Sequence, residues 1–268
     1  MENPYTSPST EPDPVMPPTL PKAVWNGWWT LLWVFTLLAV WITVQTIGMG
    51  IYMAMSGLLG EMFSSGGTMK EEELMARMMD GDTVGVIAFI SIFAVCPLAW
   101  FMGKIKKPWG GMEYLGTEKV VWWKWLMWLG ITFGLMITMS ALGPALGMDE
   151  MHDSMVDMAT STDYPILLFL GIAVGAPFVE EFIFRGIAWR GWRKSVGLWG
   201  TIAITTVIWS LLHVQYMNEP PIFIFLAVFG IVLGLAREYT GNIWVPVAMH
   251  ALNNGISAIA MLTADLPS

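Results

Sequence analysis

The chain is poor in three things: it has one cysteine and three histidines in 268 residues, and only 13% of its side chains are charged. A single cysteine, Cys96, rules out a disulfide framework or a thiolate metal cluster built within the chain, and its apolar surroundings make it a small buried residue. With no HExxH pair among three histidines, the usual helical zinc-protease signature is absent. The scarcity of charge, with 55% hydrophobic residues and a mean hydropathy of +0.59, excludes an ordinary soluble domain and points to an integral membrane protein. Thirteen basic against 21 acidic residues leave no basic surface for nucleic acid. Residues 1–22 are rich in Pro, Ser and Thr and almost lack large aliphatic side chains, so they read as a disordered cytoplasmic tail. They also lack the basic n-region and small-residue cleavage site of a secretory signal.

Long apolar runs are what the chain has. A helix needs roughly 20 apolar residues to cross a hydrocarbon core about 30 Å thick, and such runs fall at about 24–48, 83–103, 121–146, 166–190, 199–216, 221–236 and 243–263. The expected fold is all-α, a polytopic membrane helix bundle of about seven transmembrane helices. Residues 23–163 would hold the N-terminal helices and acidic outer loops, and 164–268 a membrane domain whose four helices form the site. The sixth run is short, bounded by Pro220, Pro221 and Arg237, and the Met-rich 49–80 region has room for an additional interfacial helix.

Lysine and arginine set the orientation. With a cytoplasmic N-terminus, the inner segments collect Lys22, Lys104, Lys106, Lys107, Lys119, Lys124, Arg190, Arg193, Lys194 and Arg237, leaving Lys70 and Arg77 outside. Acidic residues sort the other way, with Glu71, Glu72, Glu73, Asp80 and Asp82 in one outer loop and Asp149, Glu150, Asp153, Asp157 and Asp163 in the next. Trp25, Trp28, Trp29, Trp109, Trp122, Trp123, Trp125, Trp192, Trp199 and Trp244 gather near the inner interface as an aromatic belt. The expected location is a bacterial inner (cell) membrane.

Against this background Glu180, Glu181, Arg185, His213 and His250 stand out as ionisable residues inside spans, with Asn253 and Asn254 beside the last. Each is costly in hydrocarbon, and such residues mark function by default. Glu181 and Arg185 are spaced i,i+4, so one helical face pairs them and offsets the cost of burying either. Glu180 points about 100° away and is left free for chemistry. Counted from a break at Ser195–Gly197, Glu180 lies roughly 21 Å and His213 about 24 Å into their helices at 1.5 Å per residue, while His250 is shallower, about 10–12 Å above its turn. One carboxylate and two imidazoles are either a three-ligand metal site of Glu180, His213 and His250 with an open position, or a general-base pair beside hydrogen-bond donors.

The spacing of these residues resembles a known family. EEFIFR at 180–185 matches an EExxxR motif, WSLLH at 209–213 is similar to FxxxH with Trp209 where phenylalanine is usual, and HALNN at 250–254 matches HxxxN. In this order they are signatures of the CPBP intramembrane proteases, which include the CAAX prenyl endopeptidases and bacteriocin-processing or immunity proteins. The resemblance covers about residues 164–264. It implies an intramembrane endopeptidase acting on a peptide or membrane-protein substrate, described in the family both as a metalloprotease and as a metal-free glutamate protease. Carried over, Glu180 activates the attacking water with His213, His250 and Asn254 steady the oxyanion, and Glu181 with Arg185 holds the site together. Zinc is the cofactor of the metal version; the metal-free glutamate mechanism is the one favoured, because the two histidines come from different helices.

Other features carry bland readings. Met148 to Met158 places methionines at helical spacing around His152; soft thioethers can hold Cu(I), but an amphipathic outer helix on the lipid is the preferred reading, and Met69 to Met79 reads alike. Gly171 and Gly175 form a small-xxx-small pair for close packing, with Pro177 as a kink beside Glu180. Two rival functions are a proton-coupled transporter, since Glu, His and Asn also make relays, and a non-catalytic immunity or scaffold protein on the same fold.

Overall fold

The computed structural model describes residues 23–64, 77, 80–146, 153–213, 216 and 219–264. The expected N-terminal tail, most of 69–79 and residues 148–152 lie outside the described residues. The elements are α1 (Gly27–Met55), α2 (Leu58–Ser64), α3 (Gly81–Ile105), α4 (Gly111–Leu115), α5 (Trp122–Leu142), α6 (Asp153–Ser161), α7 (Pro165–Leu211), α8 (Pro220–Thr240) and α9 (Trp244–Thr263). The β pairing among the described residues is a single antiparallel bridge between Thr117 and Asn242.

Six of these helices, α1, α3, α5, α7, α8 and α9, are long and apolar enough to cross a membrane. The 47 residues of α7 make two passes, because a straight helix of that length would run about 70 Å, more than twice the hydrocarbon core. Gly197, at φ 75° and ψ −175°, breaks it, and only glycine adopts that φ without a steric penalty. Trp189 before the break and Ile202 after it both lie 3.2 Å from where a Cβ on Gly234 of α8 would sit; a straight helix would hold them about 20 Å apart. The chain therefore turns back at Gly197, and the bundle is polytopic with seven passes. The sixth pass is longer than its apolar run: Pro220 and Pro221 occupy the first turn of α8, where no N–H is needed, and Gly241 at φ 65° ends the helix.

Alternating passes bring the basic residues to one end. There Arg190 donates to the Tyr114 carbonyl (2.6 Å) and pairs with Glu118 (2.8 Å), Arg193 pairs with Glu238 (2.8 Å), and the Asn242 amide donates to the Glu118 carbonyl (2.7 Å). Trp28, Trp29, Trp122, Trp123 and Trp199 are exposed at this same end, as an interfacial belt requires. At the other end Asp82 accepts hydrogen bonds from the backbone N–H of Asp163 (3.1 Å) and Tyr164 (2.9 Å), tying the start of α3 to the entry of α7.

The α3–α7 contact is a glycine seam. A Cβ on Gly171 would overlap the Gly85 carbonyl, and one on Gly175 would lie 2.6 Å from the Ala88 carbonyl oxygen. Missing side chains let the two backbones touch, which is how membrane helices gain van der Waals contact without a hydrophobic drive between them.

Candidate active site

The first limb of α7 is not uniformly α-helical. π turns at Gly171–Gly175 and Phe182–Ile187 flank the α turn Ala176–Glu181 that carries both glutamates. Such turns re-aim the side chains that follow and expose backbone carbonyls, and they recur at functional sites. Each of these two accepts a bond from a neighbouring helix. Arg237 of α8 donates Nε to the Arg185 carbonyl (2.8 Å) and Nη2 to the Leu115 carbonyl (3.0 Å), and Asn254 of α9 donates Nδ2 to the Ile172 carbonyl (3.1 Å).

Glu181 and Arg185 form the expected pair, Arg185 Nη1 lying 3.0 Å from Glu181 Oε1 with both side chains fully buried. Arg185 also donates Nη2 to the Gly230 carbonyl of α8 (2.9 Å), and its guanidinium lies 5.5 Å from the centre of the Trp209 ring. The pair is not closed on itself: His250 Nδ1 sits 2.9 Å from the same Glu181 oxygen. Since an ionised carboxylate can only accept, Nδ1 carries the proton, and Nε2 is turned toward Glu180 Oε2 at 3.8 Å. His250 thus stands between the two carboxylates, one ring nitrogen to each.

Glu180 Oε2 also accepts a hydrogen bond from the indole Nε1–H of Trp209, on the second limb of α7. In the sequence Trp209 stands out only as a departure from phenylalanine; the direction of its N–H adds a donor aimed at Glu180. His213 lies one turn beyond, with Nδ1 2.9 Å from the Trp209 carbonyl oxygen and its ring 4.8 Å from the indole. Donation to a carbonyl fixes the proton on Nδ1 and leaves the acceptor lone pair on Nε2. Glu180 has Trp209 and His250 as its polar neighbours among the described residues, so His213 reaches it through Trp209 and not by direct contact.

The expected depths change on this geometry. His250 is level with Glu180 and not shallower, because the turn before α9 is recessed: Ile243 donates its N–H to the Gly116 carbonyl (2.9 Å), and Asn242 and Ile243 are buried. The Asn254 amide donates to the Ile172 carbonyl, and Asn253 donates to the Asn254 oxygen (3.1 Å). Among the described residues no three His, Cys, Asp or Glu side chains are grouped as a metal ion requires. Thr206 and Ser210, on the same limb as Trp209, are buried polar residues that the sequence reading did not single out.

The helices that build this site are also where known proteins match. Residues 162–256 match the family model of the Rce1-like type II CAAX prenyl endopeptidases. The C-terminal segment is similar to that family. A curated relative, the uncharacterized protein YpbD of Bacillus subtilis (strain 168), is 31% identical over 94 residues, which are 35% of this chain and 44% of the relative. The match thus spans less than half the length of that relative. No solved structure matches. The Rce1-like region runs from the Asp82-tethered entry of α7 to α9 and contains Glu180, Glu181, Arg185, Trp209, His213, His250 and Asn254.

Proposed function

We propose that the chain is an intramembrane endopeptidase that hydrolyses a peptide bond in or near the bilayer, with a water activated by Glu180. The observation that carries this reading is the unequal treatment of two adjacent buried carboxylates. Glu181 is paired directly with Arg185, whereas Glu180 accepts from the neutral Trp209 indole and faces the Nε2 edge of His250. The Rce1-like match of the same helices supports the reaction class. In the proposed step Glu180 takes a proton from water as its oxygen attacks the carbonyl carbon, and returns it to the leaving amide nitrogen as the C–N bond breaks. His213 polarises the water through the lone pair on Nε2, while Asn254, through its second amide hydrogen, and His250, once protonated on Nε2 as an imidazolium, steady the oxyanion.

We propose the metal-free version of this chemistry. Purified chain assayed for cleavage, with zinc content measured alongside, checks it: activity without bound metal is expected, and stoichiometric zinc whose removal and return switches activity off and on overturns it. The reading of the enzyme itself is tested by comparing the proteins of membranes that carry the native chain or Glu180→Gln. Truncated membrane proteins or released peptides unique to the native chain are the expected result; identical protein patterns contradict it.

We further propose that the basic, tryptophan-rich end faces the cytoplasm of a bacterial cell, as the excess of Lys and Arg there requires. With Cys96 replaced by alanine, cysteines placed at Ser154 and Ser268 should react with an impermeant reagent from outside intact cells. Reaction at a cysteine placed at Thr117 instead reverses the orientation.

A further inference from the structure

The motif that Trp209 fills normally holds phenylalanine, which packs but cannot donate a hydrogen bond. In this chain the indole Nε1–H is given to Glu180 Oε2. The indole is itself held fast: Trp209 is 1% exposed, with the His250 ring edge-on at 5.5 Å, the Phe229 ring at 6.3 Å and the Arg185 guanidinium at 5.5 Å. Its carbonyl meanwhile orients His213 (2.9 Å). One residue therefore touches or orients Glu180, His213 and His250, three of the four side chains through which the proposed reaction works. Glutamate has three side-chain torsions, and a packed, rigid donor at one oxygen selects a single arrangement of the carboxylate. No hydrogen bond from the described residues reaches the other oxygen, Oε1.

We infer that Trp209 is a positioning residue: its N–H fixes Oε2 of Glu180 and so presents Oε1 to the water, and its carbonyl sets the tautomer of His213. The inference rests on the reading of Glu180 as the base, but the contact it invokes can be seen without any turnover. The full-length chain, labelled with 15N at its indoles and held in detergent micelles, is the sample. The Trp209 resonance is identified by its loss in Trp209→Phe. It is expected downfield of the other indoles, moving upfield in Glu180→Gln and further in Glu180→Ala, because the acceptor loses first its charge and then its oxygen. A Trp209 resonance that both substitutions leave in place overturns the inference.

The second arm measures truncation of the membrane protein whose cleavage depends on Glu180. Trp209→Phe keeps the ring and loses the donor. It should slow the appearance of the truncated product about 10- to 100-fold, the loss expected of a hydrogen bond to a charged group, at native thermal midpoint and native chain level in the membrane. Cleavage at the native rate in Trp209→Phe overturns the positioning role even if the resonance moves. Slowing in step with a fall in folded chain assigns Trp209 to packing and overturns it equally. Full cleavage in Glu180→Gln is a different failure: it removes Glu180 as the base, and the moving resonance then reports a structural contact alone.

Discussion

α5 and the first limb of α7 look alike in composition and behave as opposites. Both are apolar helices rich in large side chains, yet α5 buries only Trp128 and Thr132, whereas every residue from Val179 to Trp189 in α7 is buried. Their glycines show the same contrast. A Cβ on Gly130 or Gly134 of α5 would meet nothing within 4 Å, while those on Gly171 and Gly175 would run into the backbone of α3. Hydropathy reports that a segment avoids water; it does not say whether lipid or protein replaces the water. Only a protein environment can supply the partners that Glu180, Glu181, Arg185 and His250 require, because hydrocarbon offers no hydrogen bonds.

The largest break in this contrast comes from Glu181→Gln. It leaves the fully buried Arg185 without its carboxylate and His250 without a charged acceptor, and should cost about 3–5 kcal/mol, the usual penalty for orphaning a buried ion. Thermal unfolding in detergent reads it as a strongly lowered midpoint. A smaller break is Gly171→Ala, which inserts one methyl into the α3–α7 seam and should cost about 1–3 kcal/mol as overpacking, again seen as a lower midpoint. The smallest is Gly134→Ala on α5, where the new methyl enters open space; the midpoint should shift by no more than a change of about 0.5 kcal/mol produces. Equal effects of the two alanine substitutions would mean that α5 is covered by protein and not lipid.

The sequence announces the passes because bilayer thickness sets their length, and even the reversal is legible in Gly197. It announces the Glu181–Arg185 pair because i,i+4 spacing is a property of the helix alone. Depth was harder. Counting residues from a turn assumes that the turn lies at the membrane surface, and the Gly241–Ile243 turn is instead drawn inward by Gly116 and Thr117. The π turns escaped notice because no residue type encodes them. The resemblance gives His250 to the oxyanion and the spacing offers it to a metal, but nothing in the order of residues says that one carboxylate oxygen of Glu181 serves both Arg185 and His250. Trp209 differs from phenylalanine by a donor whose direction only the fold sets.

The central claim is that adjacent glutamates have separate work, one for the fold and one for the reaction. The direct test takes the purified full chain and a synthetic peptide spanning the bond found to be cut in membranes, and measures turnover and thermal midpoint of Glu180→Gln together. The account predicts a midpoint near that of the native chain and turnover lower by at least the factor of about 100 to 10,000 that general base catalysis supplies. Native turnover by Glu180→Gln, or a loss of stability matching that of Glu181→Gln, would contradict it.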